Sequence, residues 1–174
     1  MIARLLDMDV NSRIIEWIYS FLTNRPQRVR ISGATSQFLS DEVRTNTGAP
    51  QGHVLSPALF TFYFSDCRCD KESVLQVKFS DDTSLAGMIT GDKSIYRTAV
   101  KDLVSWCDDN FLCLNVSKTK EMVIDFRKNA SALNPLAIIG EQVEFVHQYK
   151  YLGTTLGDKL VWAENTATRL KKAN

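Results

Sequence analysis

Asp81 and Asp82 stand side by side between two apolar runs, residues 74–79 and 83–89, a pattern of strand, tight turn and strand that sets two acids at a hairpin tip. Carboxylates in such a place suit hard divalent cations. Phosphoryl transfer to a nucleic-acid 3′ hydroxyl commonly uses two Mg²⁺ ions bound by carboxylate, phosphate and water oxygens. Flanking strands would fix the backbone while the turn lets the charges face solvent and substrate. Taken alone, an Asp-Asp pair is most often only a turn, because Asp hydrogen-bonds its own backbone there. Other segments offer complementary chemistry. Residues 47–52 read TGAPQG, a loop in which Gly48 and Gly52 permit close backbone approach to a ligand and Pro50 stiffens the chain between them. Lys118 and Lys120 are either point cations for a phosphate or a solvated turn. Arg25, Arg28 and Arg30 suit a nucleic-acid backbone no better than they suit a solvated ribbon face.

The elements that must position these residues follow from periodicity. Over residues 11–22, Ile14, Ile15, Trp17, Ile18, Phe21 and Leu22 form an amphipathic helical stripe, with Asn11 or Ser12 as N-cap. Residues 27–32 alternate, with Val29 and Ile31 on one face and Arg28 and Arg30 on the other. Gly33-Ala34 and a return over 38–45 make this a half-buried hairpin with a basic outer side. Ser56-Pro57 opens a helix with proline at its first position, apolar nearly all round and therefore buried. Gly91-Asp92 is the entry turn of a helix from Lys93 to about Cys113. A strand over 121–126 follows, then short strands near 136–139, 143–146 and 149–156, and a basic helix over 162–172. Helices interleaved with mostly antiparallel strands indicate an α+β fold, an antiparallel sheet with helices on one face.

Composition excludes several classes. The chain has 174 residues, 44% hydrophobic and 24% charged, enough for one folded domain with a core and a poor basis for disorder. Its 21 basic and 20 acidic residues give a net charge of +1, so any nucleic-acid role must come from local sites. Cys67, Cys69, Cys107 and Cys113 contain no CxxC pair and point to neither a zinc site nor a disulfide scaffold. The charged start has no long apolar stretch after it, which argues against a signal peptide or membrane span. His147 is an edge residue rather than a catalyst.

GAPQGHVLSP at 48–57, FSDD at 79–82, LNVSKTK at 114–120 and YLG at 151–153 together, in order and spacing, resemble the reverse transcriptases of non-long-terminal-repeat (LINE-type) retrotransposons. The resemblance runs from the first amphipathic helix to the end of the chain. It implies a ferredoxin-like polymerase palm over 1–174, incomplete at its N-terminus because the family's first catalytic Asp would lie on a strand before that helix. Asp7 and Asp9 do not replace it and are expected to be dipole-favouring charges at a helix start. It also implies nucleotidyl transfer by a two-metal mechanism, with catalytic Asp81 as Mg²⁺ ligand and Asp82 its weaker companion. Gln51 and Gly52 would hold template and incoming nucleotide, Lys118 or Lys120 would lie near the departing pyrophosphate, and Tyr151, Leu152 and Gly153 would form the primer grip. The implied partners are an RNA template, a DNA primer and deoxynucleoside triphosphates, in the nucleus or cytoplasm and without a membrane. His53 and Ser80 depart from the usual small residue and Ala at those positions. Lacking one carboxylate, the chain alone is expected to be inactive, and a non-catalytic nucleic-acid-binding or protein-interaction module derived from the palm is the alternative.

Overall fold

The computed structural model describes residues 1–33, 37–89, 93–127 and 134–173, so the Ala34 turn and the Gly91-Asp92 entry turn fall outside the described residues. Two compact units emerge, Met1–Cys69 with Leu75–Ala86, and Asp70–Val74 with Gly87–Asn174.

The first unit opens with a helix that sequence periodicity is too short to reveal, α1 (Ile2–Asp7). Asp7 therefore ends a helix instead of starting one, and Asp9 lies in the following turn at φ 55°. The next helix, α2 (Ser12–Leu22), begins as expected, because the Asn11 side chain accepts from the Arg13 N–H at 3.0 Å. Of its apolar stripe only Ile15 and Ile18 are buried; Ile14 and Trp17 face solvent. Leu5 of α1, Ile15 and Ile18 of α2 and Leu59 of α3 (Leu55–Tyr63) form one core cluster, with Met1, Ile2, Val10, Phe21, Leu22 and Leu55 packed around it. Leu59 is fully enclosed, a contribution of roughly 1.5–3 kcal/mol for its side chain. The other side of α3 is open, with Phe62 exposed, so an apolar sequence here did not mean burial on all sides.

Between α2 and α3 runs a ribbon of four short strands. β1 (Arg25–Gln27) pairs with β4 (Val43–Thr45), and β2 (Arg30–Ser32) with β3 (Gln37–Leu39), all antiparallel. Two residues, Arg28 and Val29, separate the ladders on the outgoing side, and three, Ser40, Asp41 and Glu42, on the return. The register thus slips by one, as in a bulge. Val29 and Ser40 bond each other within the slip, and Glu42 bridges Arg28 and Arg44. The expected half-burial is not found: Ile31 and Phe38, directly opposed on one face, are 61% and 67% exposed.

β5 (Val74–Phe79) and β6 (Asp82–Gly87) pair as the expected hairpin. In the second unit α4 (Ser94–Asp109) buries Ala99, Val100 and Cys107. A single 3₁₀ turn, Val116–Lys118, leads into β7 (Lys120–Glu121), much shorter than the anticipated strand. β8 (Ala137–Ile138) pairs with β9 (Glu141–Gln142), and β10 (Glu144–Phe145) runs parallel to β7. Residues 149–156, read as one strand, are a hairpin: β11 (Gln148–Tyr151) and β12 (Thr154–Gly157) are antiparallel across Leu152-Gly153. α5 (Ala163–Ala173) closes the unit. The fold is mixed α/β with small, mostly antiparallel ladders, each two-stranded among the described residues.

The second unit carries a buried ion pair with no counterpart in the sequence reading. Lys93 Nζ lies 3.1 Å from Glu121 Oε1, with side chains 7% and 4% exposed. Glu121 Oε2 accepts from the Leu136 N–H, and Lys93 donates to the Asn134 carbonyl. The pair therefore ties the start of α4 to β7 and to the segment 134–136 that leads into the next strand. Burial raises the Tyr96 hydroxyl pKa, and the nearby Glu121 charge adds to the rise.

Candidate active site

The acidic hairpin turns within residues 80–82, as the sequence suggests, but with a loop of two residues. Asp82 is already the first residue of β6, and the two loop residues are Ser80 and Asp81. Ser80 has φ 55° while Asp81 remains at negative φ. Positive φ at the first loop position alone is the II′ pattern, which matches strand twist and favours glycine there. Ser80 therefore bears the strain of the turn. Both acids are exposed. The two are unequal by position, Asp81 on the turn and Asp82 on the ladder.

The TGAPQG loop is held by hydrogen bonds from outside itself. Arg25 donates through its guanidinium to the carbonyls of Thr47, at 2.5 Å, and Gly48, at 2.8 Å, and through Nε to Leu22 at the end of α2. Asn46 Oδ1 accepts from the Asn24 N–H. Ser56, expected to cap α3, is instead inside its first turn and donates to the Pro50 carbonyl. Pro57 is tolerated because first-turn N–H groups have no helical acceptor. Gly48 and Gly52 have φ of +67° and +80°, and a Cβ on either would meet nothing within 4 Å. Their requirement is conformational, and the backbone beside exposed Gln51 is open to a ligand. The His53 ring lies edge-on to Phe21 at 5.7 Å, which directs its bulk onto α2.

Gln51, Gly52, Asp81 and Asp82 all belong to the first unit; Lys118, Lys120, Tyr151, Leu152 and Gly153 belong to the second. The geometry separates the two lysines. Lys120 Nζ is engaged by Glu144 at 2.5 Å across the β7–β10 pair and by the Ser117 carbonyl. Lys118 is exposed, with its backbone N–H fixed by the Asn115 side chain, and its ammonium makes no ion pair among the described residues. Tyr151 ends β11, and Leu152 and Gly153, at φ 45° and 84°, form the turn, the I′ pattern.

Other expectations find their places too. Asp125, half-buried, is held at a pKa of about 2 by hydrogen bonds from the Arg127 side chain and then its backbone N–H. All four cysteines are free, and burial pushes the Cys67 thiol pKa up. His147 is exposed at the open end of the β11–β12 hairpin and pairs with Asp158 at 2.8 Å. Exposed carboxylate oxygens suit Mg²⁺ in kind, yet among the described residues no three His, Cys, Asp or Glu side chains converge to hold a metal. Two carboxylates fall short of the ion's usual six oxygens, so the turn is at most part of a metal site.

The family model "Reverse transcriptase (RNA-dependent DNA polymerase)" matches residues 2–156, and the chain belongs to this family. Reverse transcriptases are generally Mg²⁺-dependent and work with an RNA template and nucleotide substrates. The chain is similar to the "RNA-directed DNA polymerase from mobile element jockey" of Drosophila melanogaster, 26% identical over 161 residues, covering 85% of this chain and 17% of that protein. It is also similar to the "Probable RNA-directed DNA polymerase from transposon BS" of the same organism, 26% identical over 153 residues, 82% of this chain and 16% of the other. These similarities support placing its reverse-transcriptase domain with the LINE type. The chain spans less than a fifth of the length of these curated relatives. No solved structure matches it. No helix among the described residues is long and apolar enough to cross a membrane.

Proposed function

We propose that the chain forms part of a polymerase palm that transfers nucleotides to a DNA primer on an RNA template, with Asp81 as the metal ligand and Asp82 its weaker companion. The observation that carries this reading is the exposed acid pair raised on a two-residue turn, within a stretch that the family match spans. Asp81 sits on the turn itself, free of the ladder, whereas Asp82 is committed to β6. The open backbone at Gly52 beside Gln51 would meet template and incoming nucleotide, Lys118 would meet the departing phosphate, and the Leu152-Gly153 turn after Tyr151 would touch the primer. Mg²⁺, when bound, supplies the positive charge that offsets charge on the transferring phosphoryl group. Asp81 holds a carboxylate toward that centre, and the glycines at 48 and 52 let the main chain approach the base without a side chain between.

Two acids cannot by themselves supply the several oxygens that in-line transfer requires. We therefore expect the purified chain, given Mg²⁺ or Mn²⁺, a primed RNA template and deoxynucleotides, to extend the primer no faster than buffer. In parallel, Mn²⁺ titrated against ¹⁵N-labelled protein should broaden the amide signals of residues 79–83 first, and Asp81→Asn should abolish that selectivity. Broadening that is unchanged by Asp81→Asn, or extension that survives it, would sink the assignment of Asp81.

A further inference from the structure

We infer that Lys78 is a positioning residue that locks the acidic turn to the helix following the TGAPQG loop, an inference that rests on the reading of Asp81 given above. Lys78 lies on β5, three residues before Asp81. Its ammonium donates to three backbone carbonyls, Phe64 at 2.8 Å, Ser65 at 3.3 Å and Cys67 at 2.9 Å. An ammonium has three N–H donors, so this set uses all of them. The acceptors lie at and just beyond the end of α3, where the last helical carbonyls lack partners and positive charge is favoured. The ammonium also stands 5.1 Å from the centroid of the Phe64 ring, which is buried.

A second tie comes from the same face of the same strand. Gln76, two residues earlier, donates from Nε2 to the buried Cys67 Sγ at 3.5 Å. Val77 and Phe79, on the alternate positions, are exposed. Thus the polar ties from β5 to residues 64–67 come from one face of the strand.

At its other end α3 is fastened to the loop, because Ser56 in its first turn donates to the Pro50 carbonyl, next to Gln51. One continuous path therefore runs from Pro50 through Ser56 and the nine residues of α3 to the carbonyls of Phe64, Ser65 and Cys67, then through Lys78 to Asp81. A helix is stiff along its axis, and a tie through three carbonyls at its end couples the acid to the loop. Lys78 touches neither substrate nor metal in this scheme. It acts through the backbone it holds. Arg4 provides an internal comparison: it donates to the Tyr63 carbonyl and pairs with Asp66, capping the same helix end from α1.

The test uses amide hydrogen exchange on the whole 174-residue chain, comparing the parent with Lys78→Met, Lys78→Arg and Arg4→Met. Lys78→Met should raise exchange at residues 79–83 by about tenfold, the scale expected when one charged hydrogen-bonding group stops opposing a local opening. Lys78→Arg, which restores multiple donors, should return those rates to within about threefold of the parent. Arg4→Met should loosen residues 63–66 and leave 79–83 unchanged. Hairpin rates that stay at the parental level in Lys78→Met, or that rise equally in Arg4→Met, would overturn the inference and leave Lys78 as a helix cap. The Mn²⁺ broadening described above is independent: its loss would remove the role of Asp81, while the exchange result would still decide whether Lys78 holds the turn.

Discussion

Replacing Lys93 by Met would leave the Glu121 carboxylate buried without its cation. Both side chains are nearly inaccessible, at 7% and 4%, and among the described residues the acid keeps the Leu136 N–H as its one neutral donor. Breaking one side of such a pair costs about 3–5 kcal/mol, because the remaining charge has lost its compensation. For a chain of this length that corresponds to a fall in melting temperature of roughly 6–20 °C. The double variant Lys93→Met with Glu121→Gln should recover most of the loss, since the amide oxygen still accepts from Leu136 and no charge remains to be desolvated. Differential scanning calorimetry of parent, both single variants and the double variant closes the cycle and isolates the pair's coupling. A cost below about 1 kcal/mol for Lys93→Met, the range of a surface ion pair, would refute the reasoning. So would a double variant no more stable than Lys93→Met.

Other consequences follow for the site. Ser80→Gly should stabilise the chain by roughly 0.5–1 kcal/mol, since relief of about 1–2 kcal/mol of left-handed strain exceeds the extra chain entropy of glycine; a lower melting temperature would mean that the serine is not strained. Arg25→Met should speed amide exchange over residues 47–52 by about tenfold, the equivalent of one charged hydrogen-bonding group, and unchanged rates would show that the loop stands without it. Lys118→Ala should weaken retention of a deoxynucleoside triphosphate in equilibrium dialysis several-fold, while Lys120→Ala, whose cation already faces Glu144, should change it little; the reverse order would reassign the phosphate contact. The Asp125 carboxyl should titrate near pH 2 by NMR, and Arg127→Gln should return it toward 3.8. Because its folded pKa is lowered, whatever it contributes is in place above pH 3.8 and is lost as pH falls toward 2; an ordinary titration in the parent would negate the interaction.

What was legible in the sequence had a local cause. α2 announced itself by a capping Asn11 and helical apolar spacing, and the acid pair by apolar runs on both sides of it. The errors were local too. The left-handed position was expected at the two acids, whose side chains tolerate it, and fell instead to Ser80, which favours turns but is less suited to positive φ. β11 and β12 merged because Leu152 occupies a left-handed position that Asn would ordinarily mark. Alternation over 27–32 identified strands correctly and burial wrongly, since period alone does not say what covers a face. Lys93 and Glu121 are 28 residues apart, and no pattern within either segment could pair them. The holding groups of the site, Arg25, Ser56 and Lys78, act on backbone carbonyls, a kind of recognition that leaves no motif.

The slipped register of the β1–β4 ribbon bears on how this chain tolerates change in length. Because a slip has been accommodated between the inner and outer ladders, a residue gained or lost beyond Ser32 or before Gln37 can be taken up by moving the slip along the ribbon. The inner ladder, Arg25 opposite Thr45 and Gln27 opposite Val43, would keep its pairing, and with it the grip of Arg25 on the loop. A ladder in strict register would instead pass each such change down to the loop, inverting side chains as it went. The irregularity serves as an expansion joint: insertions, tags or drifting copies can vary the far end of the ribbon while the TGAPQG loop stays where it is.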